Sequence, residues 1–166
     1  GMGNIDEIKS AVNTIESTND KLALLHCTSV YPSEASIIRL KNIQGLRELF
    51  PLYPIGYSDH SLGIEIPLAS IALGACMIEK HFTLDKADDG PDHKLSADPT
   101  EMAELVRLSK IIFSSIGTGE RTLVEGKTTQ NAIRRSIILT KPITAGQLVT
   151  EDMVETTRPA IGVSSA

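Results

Sequence analysis

The sequence predicts an α/β fold built on a parallel sheet, and three observations carry that prediction. Helical stretches alternate with short apolar runs from residue 4 to residue 116, the order helix, strand, helix, strand, helix, strand, helix that a parallel sheet with helical crossovers requires. The apolar runs are only a few residues long, and the second and third stand next to Pro or Gly, as buried strands do. Two of them run directly into a histidine, His60 and His81, at the point where a strand opens into a loop.

Taken in order, Asn4 to Glu16 reads as a helix. Asn4 caps it, Asp6 and Glu7 suit its first turn, and Ile5, Ile8, Val12 and Ile15 form one apolar stripe. Lys21 to His26 is a buried strand. Ser36 to Phe50 is a second helix that turns Leu40, Ile43, Leu46 and Phe50 inward, and Pro51 and Pro54 close it. Pro54 to Tyr57 is the next strand, Gly63 to Leu73 a helix ended by Gly74, and Ala75 to Glu79 the third strand. Asp98-Pro99-Thr100-Glu101 starts a helix that runs to Ile116, its inner stripe Met102, Leu105, Val106, Ile112, Phe113 and Ile116. Three strands are too few to close a barrel of the usual ~250 residues. The pattern fits either a small open α/β domain or the second half of a larger barrel. Residues 1–118 form this part. Residues 119–133 are polar and without period, which predicts a linker. Residues 134–166 begin a small module of strands and turns: Ser136 to Thr140, a turn near Pro142 and Gly146, then Leu148-Val149.

Composition narrows the function. With 166 residues, 41% hydrophobic and 22% charged, the chain is an ordinary globular protein with enough length for a core. A net charge of −5 with no basic run argues against nucleic acid or an anionic membrane as a partner. No stretch approaches the ~20 apolar residues of a membrane span, and Gly1-Met2-Gly3-Asn4 carries no secretion signal. The two cysteines, Cys27 and Cys76, sit in apolar runs and are expected to be buried and reduced, which fits a cytoplasmic location.

The chemistry gathers at strand ends. His60 lies in Gly56-Tyr57-Ser58-Asp59-His60-Ser61-Leu62-Gly63, and His81 in Ile78-Glu79-Lys80-His81-Phe82-Thr83. A lone histidine at a strand end is ordinarily a hydrogen-bonded structural residue. Two on successive parallel strands point to the same end of the sheet. Converging there, they can hold a borderline divalent ion such as manganese, cobalt or zinc in preference to calcium. The neighbouring acids, Asp59 and Glu79, are expected to orient the rings. Leu84 to Pro99 is a long connection rich in acid (Asp85, Asp88, Asp89, Asp92, Asp98) with His93 among them. It reads either as a solvated loop or as a functional one, with the turn Gly90-Pro91-Asp92-His93 presenting Asp92 and His93 over the mouth. In His26-Cys27-Thr28-Ser29-Val30-Tyr31-Pro32 the hydroxyls suit phosphate or carboxylate oxygens, while Tyr31 serves equally as a loop anchor. Arg158-Pro159 matters only if the second module folds over a site.

Read together, these segments resemble the sialic acid synthase family. The carrying motifs are Leu24-Leu25-His26-Cys27-Thr28-Ser29-Val30-Tyr31-Pro32, residues 56–63, Ile78 to Asp85, Gly90-Pro91-Asp92-His93-Lys94, Arg134-Arg135-Ser136 and Arg158-Pro159. The resemblance implies the C-terminal half of a (β/α)8 barrel, strands six to eight ending at His26, Tyr57 and Lys80, followed by the beginning of a small antifreeze-like domain. It implies condensation of phosphoenolpyruvate with N-acetylmannosamine or a similar N-acetylated hexosamine, giving N-acetylneuraminate and phosphate. His60 and His81 would be the metal ligands, manganese the usual ion with cobalt, magnesium or zinc as alternatives. Ser29, Tyr31 and Ser58 would contact phosphoenolpyruvate, although Ser29 stands where some relatives have asparagine. Glu79 would lie near the sugar and Asp92 would contact its hydroxyls, and these two are the candidate catalytic residues. Arg158 would reach the N-acetyl group from the partner chain of a domain-swapped homodimer, with Ala160 in place of the more usual glycine. The lysines that hold phosphoenolpyruvate in this family belong to the other half of the barrel, so the isolated chain is expected to be inactive. A legionaminate or pseudaminate synthase, or an inactive binding module derived from the family, are the competing readings.

Overall fold

The computed structural model describes residues 1–19 and 21–165; Ala166, the last residue of the expected second module, lies outside them. The chain divides into two compact units, Gly1–Thr118 and Gly119–Ala166. The first contains α1 (Ile5–Glu16), β1 (Leu24–Cys27), α2 (Ala35–Ile38), α3 (Asn42–Leu49), β2 (Ile55–Asp59), α4 (Glu65–Ala72), β3 (Ile78–Lys80) and α5 (Pro99–Ser115). Its strands pair in parallel in the order β1-β2-β3, the α/β arrangement that the alternation predicts. The central strand β2 is buried at every position, as parallel strands commonly are.

Both helices with a predicted cap begin as expected. The Asn4 side chain accepts from the N–H groups of Asp6 and Glu7, and Glu7 accepts from the Asn4 N–H. Asp98 and Glu101 form the same reciprocal box at the start of α5, satisfying donors that the helix cannot. The stripes are narrower than predicted. On α1, Val12 is buried and Ile8 packs on the core, while Ile5 and Ile15 are exposed. On α5, Leu105, Met102 and Ile112 pack against α4, together with Leu108, but Val106, Phe113 and Ile116 face outward.

The expected single helix over residues 36–50 is two helices, because the chain turns at Arg39 with φ 55°. In an uninterrupted helix Ile38 and Ile43 would point about 140° apart. The break lets both reach the same core, where they are 1% and 0% exposed. Leu46 and Phe50 join them with Ile55, Tyr57 and Ala75, and Leu40 packs alongside. A second cluster, Leu68, Ile71 and Leu105, sits between α4 and α5.

The ladders lie further toward the histidines than the apolar runs suggested. β1 extends to Cys27, β2 to Asp59 and β3 to Lys80, since backbone pairing passes through polar residues that hydrophobicity does not flag. Gly56 permits the close approach of β2 to the segment before β3: a Cβ there would collide with the Met77 side chain and lie 2.9 Å from its carbonyl oxygen. Gly74, at φ 101°, turns the chain out of α4.

The second unit contains α6 (Lys127–Ile133) and β4 (Ser136–Leu139), β5 (Val154–Thr157) and β6 (Val163–Ser164), paired antiparallel in the order β5-β4-β6. Residues read as an aperiodic linker thus include a helix, one that buries no residue. Leu148-Val149 is not a strand; β5 takes that place a few residues later. Both cysteines are free, but only Cys27 is partly buried and Cys76 is exposed, contrary to the expectation of two buried thiols. Among the described residues no helix is long and apolar enough to cross a membrane.

Candidate active site

Three aromatic rings meet at the C-terminal ends of the strands. His60 follows β2 directly, and its Nδ1 lies 2.9 Å from the carbonyl oxygen of Thr28. A carbonyl only accepts, so Nδ1 carries a proton, and in the neutral imidazole the lone pair is then on Nε2. His81 follows β3, with its Nδ1 3.5 Å from Asp92 Oδ2, so a carboxylate faces its imidazole at the same ring position. The two ring centroids are 5.2 Å apart at an interplanar angle of 79°. The Tyr31 ring packs 4.0 Å from His60 and 5.8 Å from His81.

The loop after β3 is built to return to its origin. The Ala97 N–H donates to the His81 carbonyl (2.7 Å), and the Thr83 N–H donates to the Ala97 carbonyl (3.0 Å), a parallel bridge that closes residues 83–97 into a ring. Leu95 and Ala97 are buried beneath it. That closure carries Asp92 back to His81. His93 does not face the mouth as expected: its Nδ1 lies 2.8 Å from Thr83 Oγ1 inside the loop, where it braces the ring. Asp98 caps α5, and Asp85, Asp88 and Asp89 are exposed.

On the sheet itself, Cys27, Ser58 and Glu79 occupy one register row and so share a face. Ser58 Oγ donates to Glu79 Oε1 at 2.7 Å. Ser29 is exposed, its Oγ 3.9 Å from Cys27 Sγ. One step further along, Asp59 and Lys80 face each other and form a buried ion pair of 2.6 Å. The expectation that Asp59 and Glu79 orient the histidines is therefore corrected. The pleat sends residue 59 to one side, onto Lys80, Tyr57 and Ser61, and residue 79 to the other, onto Ser58. Orientation comes instead from a main-chain carbonyl and from Asp92. The Thr28 carbonyl has no sequence signature. The opposite charges placed one residue before each histidine, Asp59 and Lys80, were a signal that could have been read.

The donor set fits a divalent ion. Two imidazoles bound to one ion at about 2.1 Å stand roughly 4.5–5.5 Å apart between centroids, a range that contains the observed separation. Among the described residues no cluster of three or more His, Cys, Asp or Glu forms a complete cage. Water or substrate oxygens would have to fill the shell, as at a catalytic ion rather than a structural one. Arg158 is exposed and belongs to the second unit, directly after β5.

A parallel α/β sheet with paired histidines and carboxylates gathered at its strand ends defines a class, the parallel α/β folds that place their sites at the C-terminal edge of the sheet. The particular family follows from comparison. The NeuB family matches residues 1–121, and the chain belongs to it. It is 41% identical to N,N'-diacetyllegionaminic acid synthase of Campylobacter jejuni over 169 residues, covering 99% of this chain and 50% of that protein. It is 36% identical to human N-acetylneuraminate-9-phosphate synthase over 155 residues, covering 93% of this chain and 43% of that one. Among solved structures, the N-acetylneuraminic acid synthetase of Leptospira borgpetersenii superposes with a TM-score of 0.70 at 40% identity, covering 78% of this chain and 44% of that structure. The chain spans about half the length of the curated relatives it matches.

Proposed function

We propose that these residues are the C-terminal half of the (β/α)8 barrel of a nonulosonate synthase, with the beginning of its antifreeze-like domain. They would carry the sugar-aldehyde side of an active site that joins phosphoenolpyruvate to an open-chain N-acetylated hexosamine. The observation that carries this reading is the pair His60 and His81, each with an acceptor oxygen facing Nδ1, with rings at a separation suited to one shared ion.

Nε2 of His60 and Nε2 of His81 would hold the ion, manganese in our reading, which when bound polarises an aldehyde oxygen. The protein's own groups would do the rest. Asp92 holds His81 and offers its other oxygen to sugar hydroxyls. Ser58 donates its one hydroxyl proton to Glu79; when phosphoenolpyruvate enters, that hydroxyl would turn to donate to a phosphoenolpyruvate oxygen, leaving the Glu79 carboxylate to accept from sugar hydroxyls. Tyr31 walls the ring cluster and, with Ser29, borders the phosphoenolpyruvate side. Arg158 of the partner subunit would complete the N-acetyl contact in a domain-swapped homodimer. Turnover would further require the phosphoenolpyruvate lysines of the other half of the barrel, so the isolated chain should bind but not turn over.

The acceptor would be either N-acetylmannosamine or the sugar of the legionaminate series; the 41% identity to a legionaminic acid synthase supports the latter and the 36% identity to an N-acetylneuraminate-9-phosphate synthase the former. The test is Mn2+ binding by the full chain and by His60→Ala, followed by reconstitution with the complementary half-barrel of a relative. Activity would be assayed with phosphoenolpyruvate and either N-acetylmannosamine or the diacetamido sugar of the legionaminate series. Loss of Mn2+ binding in His60→Ala and phosphate release with one of the two sugars support the proposal. Equal Mn2+ binding by the two proteins refutes the metal assignment, and turnover by the unreconstituted chain refutes the division of the site.

A further inference from the structure

Buried beneath the two histidines is a polar network that the reaction does not use. Asp59 is 0% exposed and the Lys80 side chain 1%. Asp59 Oδ1 accepts from Tyr57 Oη (2.9 Å), Ser61 Oγ (2.7 Å) and the Ser61 N–H (3.1 Å). Asp59 Oδ2 accepts from Lys80 Nζ (2.6 Å), which also donates to the Ser61 carbonyl (2.9 Å). His60 is thus bracketed: the residues on either side of it, 59 and 61, are both tied to Lys80, and Lys80 immediately precedes His81. Asp59 and Lys80 are also register partners across β2 and β3.

A buried ion pair is weak evidence for stability, because a well-packed apolar pair of similar volume does as well or better. What it does provide is register. A slip of one residue between β2 and β3 would exchange the faces of every side chain at the strand ends, and a mobile turn at residue 61 would let the His60 ring swing away from Thr28. An apolar pair would resist neither, since it is indifferent to which atom it meets.

We propose that Asp59 and Lys80, with Ser61 as their bridge, are positioning residues that hold the main chain of His60 and His81 at the separation needed to grip one divalent ion. The inference rests on the metal reading above but assigns a role to residues outside it. The double variant Asp59→Asn/Lys80→Met removes the pair without leaving a lone buried charge. In the full chain it should keep its far-UV spectrum, while the dissociation constant for Mn2+, read from the electron paramagnetic resonance of free Mn2+, rises ~10-fold or more. A folded double variant binding within twofold of the parent overturns the proposal. If that variant fails to fold, Ser61→Ala decides: weakening of about threefold or more supports the role, below the ~10–100-fold of a fully removed partner because the Ser61 N–H and carbonyl contacts remain, and any smaller change overturns it. If the parent chain itself does not bind Mn2+, the metal reading has failed separately. The imidazole 15N shifts then decide, because positioning requires one Nδ1–H tautomer of His60 in the parent and a mixture in the variant, and one tautomer in both overturns it.

Discussion

Every buried hydrophobic side chain among the described residues, from Val12 to Leu105, lies in Gly1–Thr118, whereas in residues 119–165 only Ser136 is buried. The two regions hold similar numbers of strands but order them differently. The parallel sheet of the first unit is packed by α1, α3 and α4, and its strands carry side chains into that core. The antiparallel sheet of the second unit leaves Ile137, Leu139 and Val163 exposed and is held by its backbone ladder and by solvated pairs such as Lys141–Asp152. Only a packed framework can hold side chains to the tolerance that chemistry needs, which is why the histidine pair belongs to the first region.

The sharpest way to break this contrast is to cut the same kind of contact in each. Lys80→Ala leaves Asp59 buried and unpaired and should cost ~3–5 kcal/mol in urea unfolding. Lys141→Ala, which cuts a solvated pair, should leave the midpoint of its unit within error. Equal losses would show that burial does not separate the regions. Next in size, Ile43→Ala should cost ~2–5 kcal/mol by opening a cavity at a fully buried site, against a change within about 0.5 kcal/mol for exposed Val163→Ala.

Tyr57→Phe removes one donor to Asp59 and should cost ~1.5–3 kcal/mol. It also has a pH signature. Burial, and then the charge of Asp59, raise the Tyr57 phenol well above its usual 10.0. The folded state therefore keeps a proton that the unfolded state releases, so this stability is complete below pH 10 and declines as the pH rises beyond it. Phenylalanine should flatten that alkaline decline in a denaturation series. The smallest effect is expected at Asp152. The hydrogen bond from Lys141, then that from Thr150, holds its carboxyl below the usual 3.8, so its contribution is present above that pH and lost as the pH falls. Asp152→Asn should soften the acid limb of the second unit only slightly, as followed by the amide NMR signals of β4 and β5.

Much of the first unit was legible because its signals are local. Asn4 and Asp98 announce their helices through reciprocal caps three residues long, and Ile43, Leu46 and Phe50 keep their helical spacing even though the helix breaks before them. Arg39 hid that break, since nothing in an arginine side chain marks a left-handed turn. The second unit was less legible for the opposite reason: with almost nothing buried, α6 and β5 leave little hydrophobic period to detect. At the candidate site, His60, His81 and Asp92 could be chosen as residues, but their partners could not. Asp59 was expected to serve His60 and instead binds Lys80, and His93 was expected at the mouth and instead braces its own loop.

The amino-acid order by itself determined the alternation of helices and strands, the caps, and which end of the sheet would carry imidazoles, because each depends on neighbours within one or two turns of chain. Only the tertiary structure decided that the Thr28 carbonyl sets the tautomer of His60, that Asp92 returns to His81 through the bridge at Ala97, and that Asp59 meets Lys80. Those contacts join residues 11 to 32 positions apart through strand register and loop closure, and the free energy that selects among their alternatives resides in the packed whole.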